Sequence, residues 1–273
     1  MFGLRVFHIV LSSIIVISAT GVQALTGFGF ALVAIPLLLY IYPSYVAVLM
    51  TMVLSLFALL LGARKTKNLA RWDLIWRLLA SGLPGLLLGI LIGGEINAIY
   101  LKGIVGVTVL SYVFFQLMSA RRKKEDTQNA FTLEQASVDL EALPIEKMKL
   151  PFTFYFAGVL SGILTGAAGI PGPPVIAVLI HLLPKDIFRA TIVNFFIINY
   201  CLALVLAIGI SQQRLTYDLI KTIVILLIPL VIGHFIGNYL RNFVNEGNFK
   251  RLVYVLLIIV GVTSIGQSLA HII

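Results

Sequence analysis

The stretch TGVQALTGFGFALVAIP, residues 20–36, decides how the chain folds, because it places glycines and a proline inside a long apolar run. A second stretch, TGAAGIPGPP at residues 165–174, does the same in the other half of the chain. Glycine and proline both weaken a helix, and a broken helix in hydrocarbon leaves backbone N–H and C=O groups without partners. The two stretches therefore predict two points where a helix stops and restarts.

The composition excludes a water-soluble globular protein. Of the 273 residues, 60% are hydrophobic and 11% are charged, and the mean hydropathy is +1.04. Soluble domains carry roughly 25% charged residues, so this chain lacks the charge to cover a surface in water. The net charge of +9 indicates basic cytoplasmic loops rather than a nucleic-acid partner. We expect an all-α polytopic protein in a lipid bilayer.

The apolar residues fall into eight blocks of roughly membrane-spanning length. They are residues 6–42, 45–63, 73–94, 99–119, 152–183, 187–210, 217–240 and 251–270. The first and fifth blocks, which contain the glycine stretches, are long for one span. Residues 121–149 hold six of the eleven acidic residues and belong in water. The chain thus divides into a first membrane repeat (1–120), a cytoplasmic linker (121–149) and a second membrane repeat (150–273).

The two halves match each other in order and hydropathy, which indicates an internal duplication of four segments. The matches are Thr26-Gly27 with Thr165-Gly166, Trp72-Asp73 with Tyr217-Asp218, Pro84 with Pro229, and Lys102 with Lys250.

The distribution of the twenty lysines and arginines favours an inverted repeat. If every block crosses once, the halves are parallel and fourteen of the twenty lie inside. If blocks one and five are re-entrant hairpins, the halves are inverted and sixteen lie inside. Because cytoplasmic loops collect positive charge, the second arrangement is preferred, with each repeat opening on a glycine-broken re-entrant helix.

The apolar residues after each break, 30–41 and 174–183, are predicted to restart as half-helices. A half-helix N-terminus offers free N–H groups and a partial positive charge, so two of them form a pocket suited to an anion. Gly27 and Gly29 permit close approach to the backbone. Pro173 and Pro174 suit a first helical turn.

Polar side chains near the breaks complete the predicted substrate site. Its members are Gln23, Thr26, Gly27, Gly29, Thr165, Gly166, Gly169 and Asn194. Arg189 follows the second half-helix, where it either attracts anions or anchors a segment at lipid head groups. Thr51, Ser55, Gln116, Asn199 and His234 are the other polar residues inside apolar blocks, and such residues usually face the interior of a bundle.

Glycines also permit close helix packing, and that alternative applies to each break. GLLLGILIG at residues 85–93 is the clearer packing pattern, since Gly85, Gly89 and Gly93 recur every four residues without an interruption. Gly233 and Gly237 repeat the spacing in the second half.

No Asp or Glu lies at the centre of an apolar block, which argues against a buried carboxylate proton relay. The four histidines are scattered and Cys201 has no evident partner. The sequence therefore predicts no enzyme, no metal site and no cofactor.

The glycine-rich element ALTGFGFALVAIP, followed by LARWDLIWRLLASGLPGLLLGILIGG, resembles the TauE/SafE family of sulfite and organosulfonate exporters. The second half adds GVLSGILTGAAGIPGPPVIAVLI, FRATIVNFF and PLVIGHFIGNYL. The resemblance covers most of the chain outside residues 121–149. It implies a duplicated four-segment unit that moves sulfur-containing or carboxylate anions across the bacterial inner membrane. Many members have more glycines in the motif.

Together these features predict a permease that exports sulfite or a sulfonate by alternating access around a midplane site. Two alternatives remain open: an anion channel, and a proton- or sodium-coupled importer of a sulfur-containing or carboxylate anion. A non-transporting scaffold would need neither the repeat nor the breaks. A homodimer is one candidate oligomeric state, which the sequence leaves open.

Overall fold

The computed structural model describes residues 2–63, 69–95, 150–210 and 216–240, with single residues and short runs at 100–118 and 255–269. Every regular element in these ranges is an α-helix. The predicted linker at 121–149 and the matched pair Lys102 and Lys250 lie outside the described residues.

Eight helices have defined bounds, four in each half. They are α1 Phe2–Thr26, α2 Phe30–Leu38, α3 Ser44–Ala63, α4 Trp72–Glu95, α5 Phe152–Ala168, α6 Gly172–Leu182, α7 Lys185–Ile210 and α8 Tyr217–Leu240. The short α2 and α6, of 9 and 11 residues, confirm the two predicted half-helices. At 1.5 Å per residue neither is long enough to cross a bilayer of about 30 Å.

Within the described residues, five helices are long and apolar enough to cross a membrane. These spans are Val6–Leu25, Tyr45–Ala63, Trp72–Gly93, Asp186–Ile210 and Tyr217–Leu240. Large apolar side chains such as Phe7, Val205 and Phe235 are 62–69% exposed on the outside of the bundle, where acyl chains would cover them. These findings confirm an all-α polytopic membrane protein. Because α1 has the length of a full span, a re-entrant course for it stays a prediction.

Glycines spaced four residues apart on α4 let this helix pack closely against α5. A Cβ at Gly85 or Gly89 would collide with the carbonyl oxygen of Val159 or Ile163, and one at Gly93 would lie 2.8 Å from Ala167 Cα. Only the missing side chains let the two backbones approach so closely. The packing role predicted for the 85–93 spacing is therefore confirmed.

Glycines also let α8 pack closely against α1. A Cβ at Gly233 would lie 2.6 Å from Ile17 O, and one at Gly237 would lie 2.7 Å from Gly21 O. The first helix of each half thus packs most extensively on the fourth helix of the other half. This exchange of partners is what a two-fold relation between the halves would produce.

Helices α3 and α7 lie between these two pairs and contact each other. They are also the most buried of the five spans. Thr51, Ser55, Asn194 and Asn199 on these helices are all at most 4% exposed. The expectation that polar residues inside apolar blocks face the bundle interior is confirmed for these four. His234 on α8 is only partly buried and contacts Asn238, with 2.9 Å between Nε2 and Nδ2.

Candidate functional site

The first break lies between α1 and α2. Gly27 has φ +88° and Gly29 has φ +108°, a backbone region that side chains other than glycine rarely adopt. The Gly27 N–H donates to the Gln23 carbonyl over 2.7 Å and closes the last turn of α1. The sequence TGFG therefore ends one helix and sets the start of the next at Phe30.

The second break has the same construction. Gly169, with φ +66°, follows the end of α5 and donates its N–H to the Thr165 carbonyl over 2.8 Å. By this geometry Gly27 corresponds to Gly169 and Gln23 to Thr165. The sequence match of Thr26-Gly27 with Thr165-Gly166 is therefore out of register by three residues, because Gly166 lies inside α5 and not at its end.

Both breaks line one cavity in the bundle interior. Its walls are Gln23, Phe28, Gly29, Phe30, Ala31, Leu32, Ser55, Leu59, Ile170, Pro171, Gly172, Ile176, Phe196 and Tyr200. About 20 Å³ of it is open to the centre of a water molecule, which is room for about one water. The two glycine stretches that interrupt the apolar runs thus meet at a single point.

The first break supplies most of the backbone donors. Helix α2 has no side-chain cap, and its first residues, Phe30, Ala31 and Leu32, all line the cavity. N–H groups in the first turn have no partner inside the helix and carry the positive end of its dipole. Helix α6 offers fewer donors, because Pro173 and Pro174 in its first turn have no N–H.

Arg189 adds a positive charge on the same side. A Cβ at Gly27 would lie 2.8 Å from Arg189 Nε, so the guanidinium crosses directly over the left-handed residue. The preceding Phe188 meets Phe28 edge to face, with 6.3 Å between ring centroids. The structure thus places Arg189 beside the first break but not among the residues that line the cavity, and its anion-attracting role stays a prediction.

The second break has an apolar neighbourhood at the equivalent point. A Cβ at Gly169 would meet Ile35, Met52 and Val48 side chains at 3.2–3.5 Å. The surroundings of the two breaks therefore differ: a basic side chain lies beside the first, and apolar side chains lie beside the second.

Two side-chain hydroxyls donate hydrogen bonds to carbonyl groups of the second break. The Ser161 hydroxyl donates to the Pro171 carbonyl over 2.7 Å, and the Tyr200 hydroxyl donates to the Gly169 carbonyl over 3.1 Å. A carbonyl freed by a helix break in an apolar interior needs such a partner. Tyr200 and Ser161 are thus part of what makes this break stable.

Thr165 and Asn199 form a bridge between α5 and α7. Asn199 Nδ2 donates to Thr165 Oγ1 over 2.8 Å, and the Thr165 hydroxyl donates to the Ser161 carbonyl over 2.7 Å. Asn199 therefore makes the interhelical hydrogen bond expected of it. The single Thr165 proton is engaged by its own helix, so in this conformation it is not a donor toward the cavity.

Apart from Thr26 and Thr165, the predicted substrate-site residues fall into three groups: those that line the cavity, those that form the turns beside it, and those that lie away from its walls. Gln23 and Gly29 line the cavity, while Gly27 and Gly169 form the left-handed turns beside it. The Thr26 backbone ends α1, and its side chain lies outside the described part of the chain.

The third group lies away from the cavity walls. Gly166 faces α4, where an added Cβ would lie 2.5 Å from both Ile90 N and Leu86 O, so it serves helix packing. Asn194 is buried and donates from Nδ2 to the Ala190 carbonyl of its own helix over 2.8 Å. Neither residue is among those that line the cavity.

Sequence reasoning missed Ser55 and Tyr200, which both line the cavity. Ser55 was visible only as one of several polar residues in apolar blocks. Tyr200 carried no signal, since a tyrosine at the end of a buried apolar run is ordinary.

The fold and the cavity define a multi-pass helical membrane protein whose two interrupted helices meet in the interior. This is the construction of membrane transporters that bind substrate at broken helices. The family model of the sulfite exporter TauE/SafE matches residues 12–264, and the chain belongs to that family. Members of this family are transporters and not enzymes. Neither a curated protein nor a solved structure matches the chain.

Proposed function

We propose that this protein exports sulfite or a small organosulfonate across the bacterial inner membrane by alternating access. The observation that carries the proposal is the convergence of both helix breaks on one buried cavity. Family membership supports an anion as the substrate class.

The anion would bind with its oxygens toward the first break. There the N–H groups of Phe30, Ala31 and Leu32 line the cavity, and Arg189 lies against Gly27. Charge-assisted hydrogen bonds to an oxyanion are roughly twice as strong as neutral ones, which offsets the loss of hydration on entry. Gln23, which is 6% exposed, would offer its amide from the last turn of α1.

The size of the cavity supports alternating access rather than a permanent pore. Room for about one water is less than a sulfite or sulfonate needs. The walls of the two breaks must therefore separate when substrate enters, and they would do so toward one side of the membrane at a time. The exchanged packing of α1 on α8 and of α5 on α4 gives two similar bodies that can rock against each other.

The membrane potential supplies a driving force for export. An inside-negative potential favours anion exit by about 2.3 kcal/mol per charge per 100 mV. Export then needs no coupling ion, whereas import of the same anion would need proton or sodium symport.

The repeat is proposed to be inverted, with the two breaks entering from opposite faces. Cysteine labelling from each side tests this topology, in a Cys201→Ser background that removes the native thiol. The inverted arrangement requires Arg214→Cys to react from outside and Arg241→Cys to react from inside. The reversed pattern, with Arg214→Cys reacting from inside and Arg241→Cys from outside, is what a parallel repeat gives and would contradict the inverted one.

Flux in proteoliposomes tests the function. Purified protein is reconstituted, and movement of ³⁵S-sulfite, methanesulfonate and acetate is followed with and without an imposed potential and pH gradient. We expect saturable sulfite or sulfonate flux that an appropriate potential alone accelerates. Non-saturable flux would favour the channel, an absolute need for a proton or sodium gradient would favour the importer, and no flux of any anion would overturn the proposal.

A further inference from the structure

We infer that Ser55 on α3 is a substrate-contacting residue, whose hydroxyl donates a hydrogen bond to an oxygen of the bound oxyanion. The inference rests on the proposed anion transport and adds a third element, α3, to a site otherwise built by the two broken helices. Ser55 lines the cavity and is 2% exposed. Its Oγ has no hydrogen-bond partner in the described part of the chain.

Among the described hydroxyls, only those of Ser55 and Thr51 are buried and unpaired. Serine and threonine in a membrane helix normally donate to the carbonyl four residues earlier. Seven described hydroxyls do so, at 2.7–2.9 Å: those of Ser12, Ser13, Ser18, Thr20, Thr108, Thr165 and Thr222. Ser55 makes no such bond, and it is a residue of the cavity wall. A buried polar group without a partner is costly, which is explained if a ligand supplies the partner.

The hydrogen bonding of Tyr200 determines which of two neighbouring hydroxyls, its own or that of Ser55, can donate a proton to a ligand. The Tyr200 hydroxyl lies beside Ser55 but gives its single proton to the Gly169 carbonyl. Its oxygen can then only accept, so any interaction between the two hydroxyls uses the Ser55 proton, and this interaction falls short of hydrogen-bond geometry. Of this pair, Ser55 alone has a proton to give to a ligand.

The surroundings select an anion over a cation as that ligand. The cavity wall described above contains no carboxylate. It does contain the N-terminal turn of α2, and Arg189 lies on the adjoining break. A positive potential of this origin repels cations and stabilises an oxygen that carries negative charge.

Thr51 provides a matched control one turn earlier on the same helix. It is fully buried, and its Oγ1 also lacks a partner, but it does not line the cavity. Thr51→Val and Ser55→Ala therefore each remove one unpaired buried hydroxyl from α3, and only the second removes it from the cavity wall.

The experiment measures methanesulfonate flux and its half-saturating concentration in proteoliposomes for wild type, Ser55→Ala, Ser55→Thr and Thr51→Val. Binding is checked by ligand-induced shift of the melting temperature. Loss of a hydrogen bond to a charged group predicts a half-saturating concentration about tenfold higher or more in Ser55→Ala. Ser55→Thr, which keeps a hydroxyl, should remain closer to wild type, and Thr51→Val should stay within about twofold of it.

The outcomes separate this inference from the proposed function. If wild type transports the anion and Ser55→Ala has the same half-saturating concentration as Thr51→Val, Ser55 is not a contact and the inference is wrong while transport stands. If Ser55→Ala fails to fold, Ser55→Cys takes its place, because cysteine has nearly the shape of serine and is only a weak hydrogen-bond donor. An unchanged half-saturating concentration in Ser55→Cys would also contradict the inference. If wild type binds and moves no anion, both are wrong.

Discussion

Replacing Gly27 by alanine tests the proposed role of the first break, and Gly169→Ala is its structural counterpart. Both glycines are left-handed, with φ +88° and +66°, so each alanine variant should lose about 1–2 kcal/mol of stability from backbone strain. The two differ in what the new methyl group meets. At Gly27 it lies 2.8 Å from Arg189 Nε, whereas at Gly169 it lies 3.2 Å or more from flexible apolar side chains.

Arg189 must therefore move in Gly27→Ala, and it stays in place in Gly169→Ala. Its Nε has to retreat by about 0.6 Å or more to reach ordinary contact, which misaligns a charge-assisted interaction that is worth about 1.5–3 kcal/mol. Losing about half of that energy raises the half-saturating concentration of methanesulfonate about fourfold to twelvefold in Gly27→Ala. For Gly169→Ala we expect a change below about threefold.

The assay is concentration-dependent flux in proteoliposomes, with melting temperatures measured on the same preparations. Equal thermal destabilisation of the two variants shows that they are matched in backbone strain. Equal changes in half-saturating concentration, or no change in Gly27→Ala, would refute the assignment of the anion to the break beside Arg189.

Two further predictions concern packing and the bridge between helices. Gly89→Leu should abolish the monodisperse folded protein in fluorescence-detected size exclusion, because even a Cβ there collides with Ile163 O. Gly62→Ala should elute like wild type, because a Cβ there meets no neighbouring helix or side chain within 4 Å in the described part of the chain. Asn199→Ala should lower the thermal stability by about 0.6 kcal/mol, the average value of an interhelical hydrogen bond in a membrane, and leave the half-saturating concentration unchanged. A large loss of affinity in Asn199→Ala would mean that the bridge shapes the binding site directly.

The sequence was sufficient to locate the helices within residues 2–95 and 152–240 and both breaks, because hydrophobic blocks and glycine-proline clusters are local signals. It also separated the packing stripe at Gly85, Gly89 and Gly93 from the breaks, since regular spacing without proline is typical of packing. The sequence did not distinguish the structural role of Gly166 from that of Gly169. One is needed for close contact with α4 and the other for a positive φ, and both needs select the same residue type.

The side-chain composition of the site was less accessible to sequence reasoning. The sequence predicts Thr165 as a hydrogen-bond donor to the anion. In the structure its hydroxyl donates to the Ser161 carbonyl and accepts from Asn199 Nδ2. Ser55 was indistinguishable from serines that bond to their own helix, since the side-chain direction depends on tertiary packing. Arg189 could be placed near a segment end, but its position over Gly27 depends on how α7 crosses the first break.

The central claim is that the two breaks form one anion site that opens alternately to the two sides of the membrane. The most direct measurement is the accessibility of Phe28→Cys and Ile170→Cys, which replace cavity residues from the two breaks, in the Cys201→Ser background. Each is labelled with a small thiol reagent applied to either side of oriented vesicles. Methanesulfonate serves as the protecting ligand because sulfite would itself react with the reagents.

With alternating access to one shared site, both cysteines react from both sides and methanesulfonate slows both reactions over the same concentration range. Protection of one cysteine without the other, or reaction from one side only and without any effect of the ligand, would contradict it.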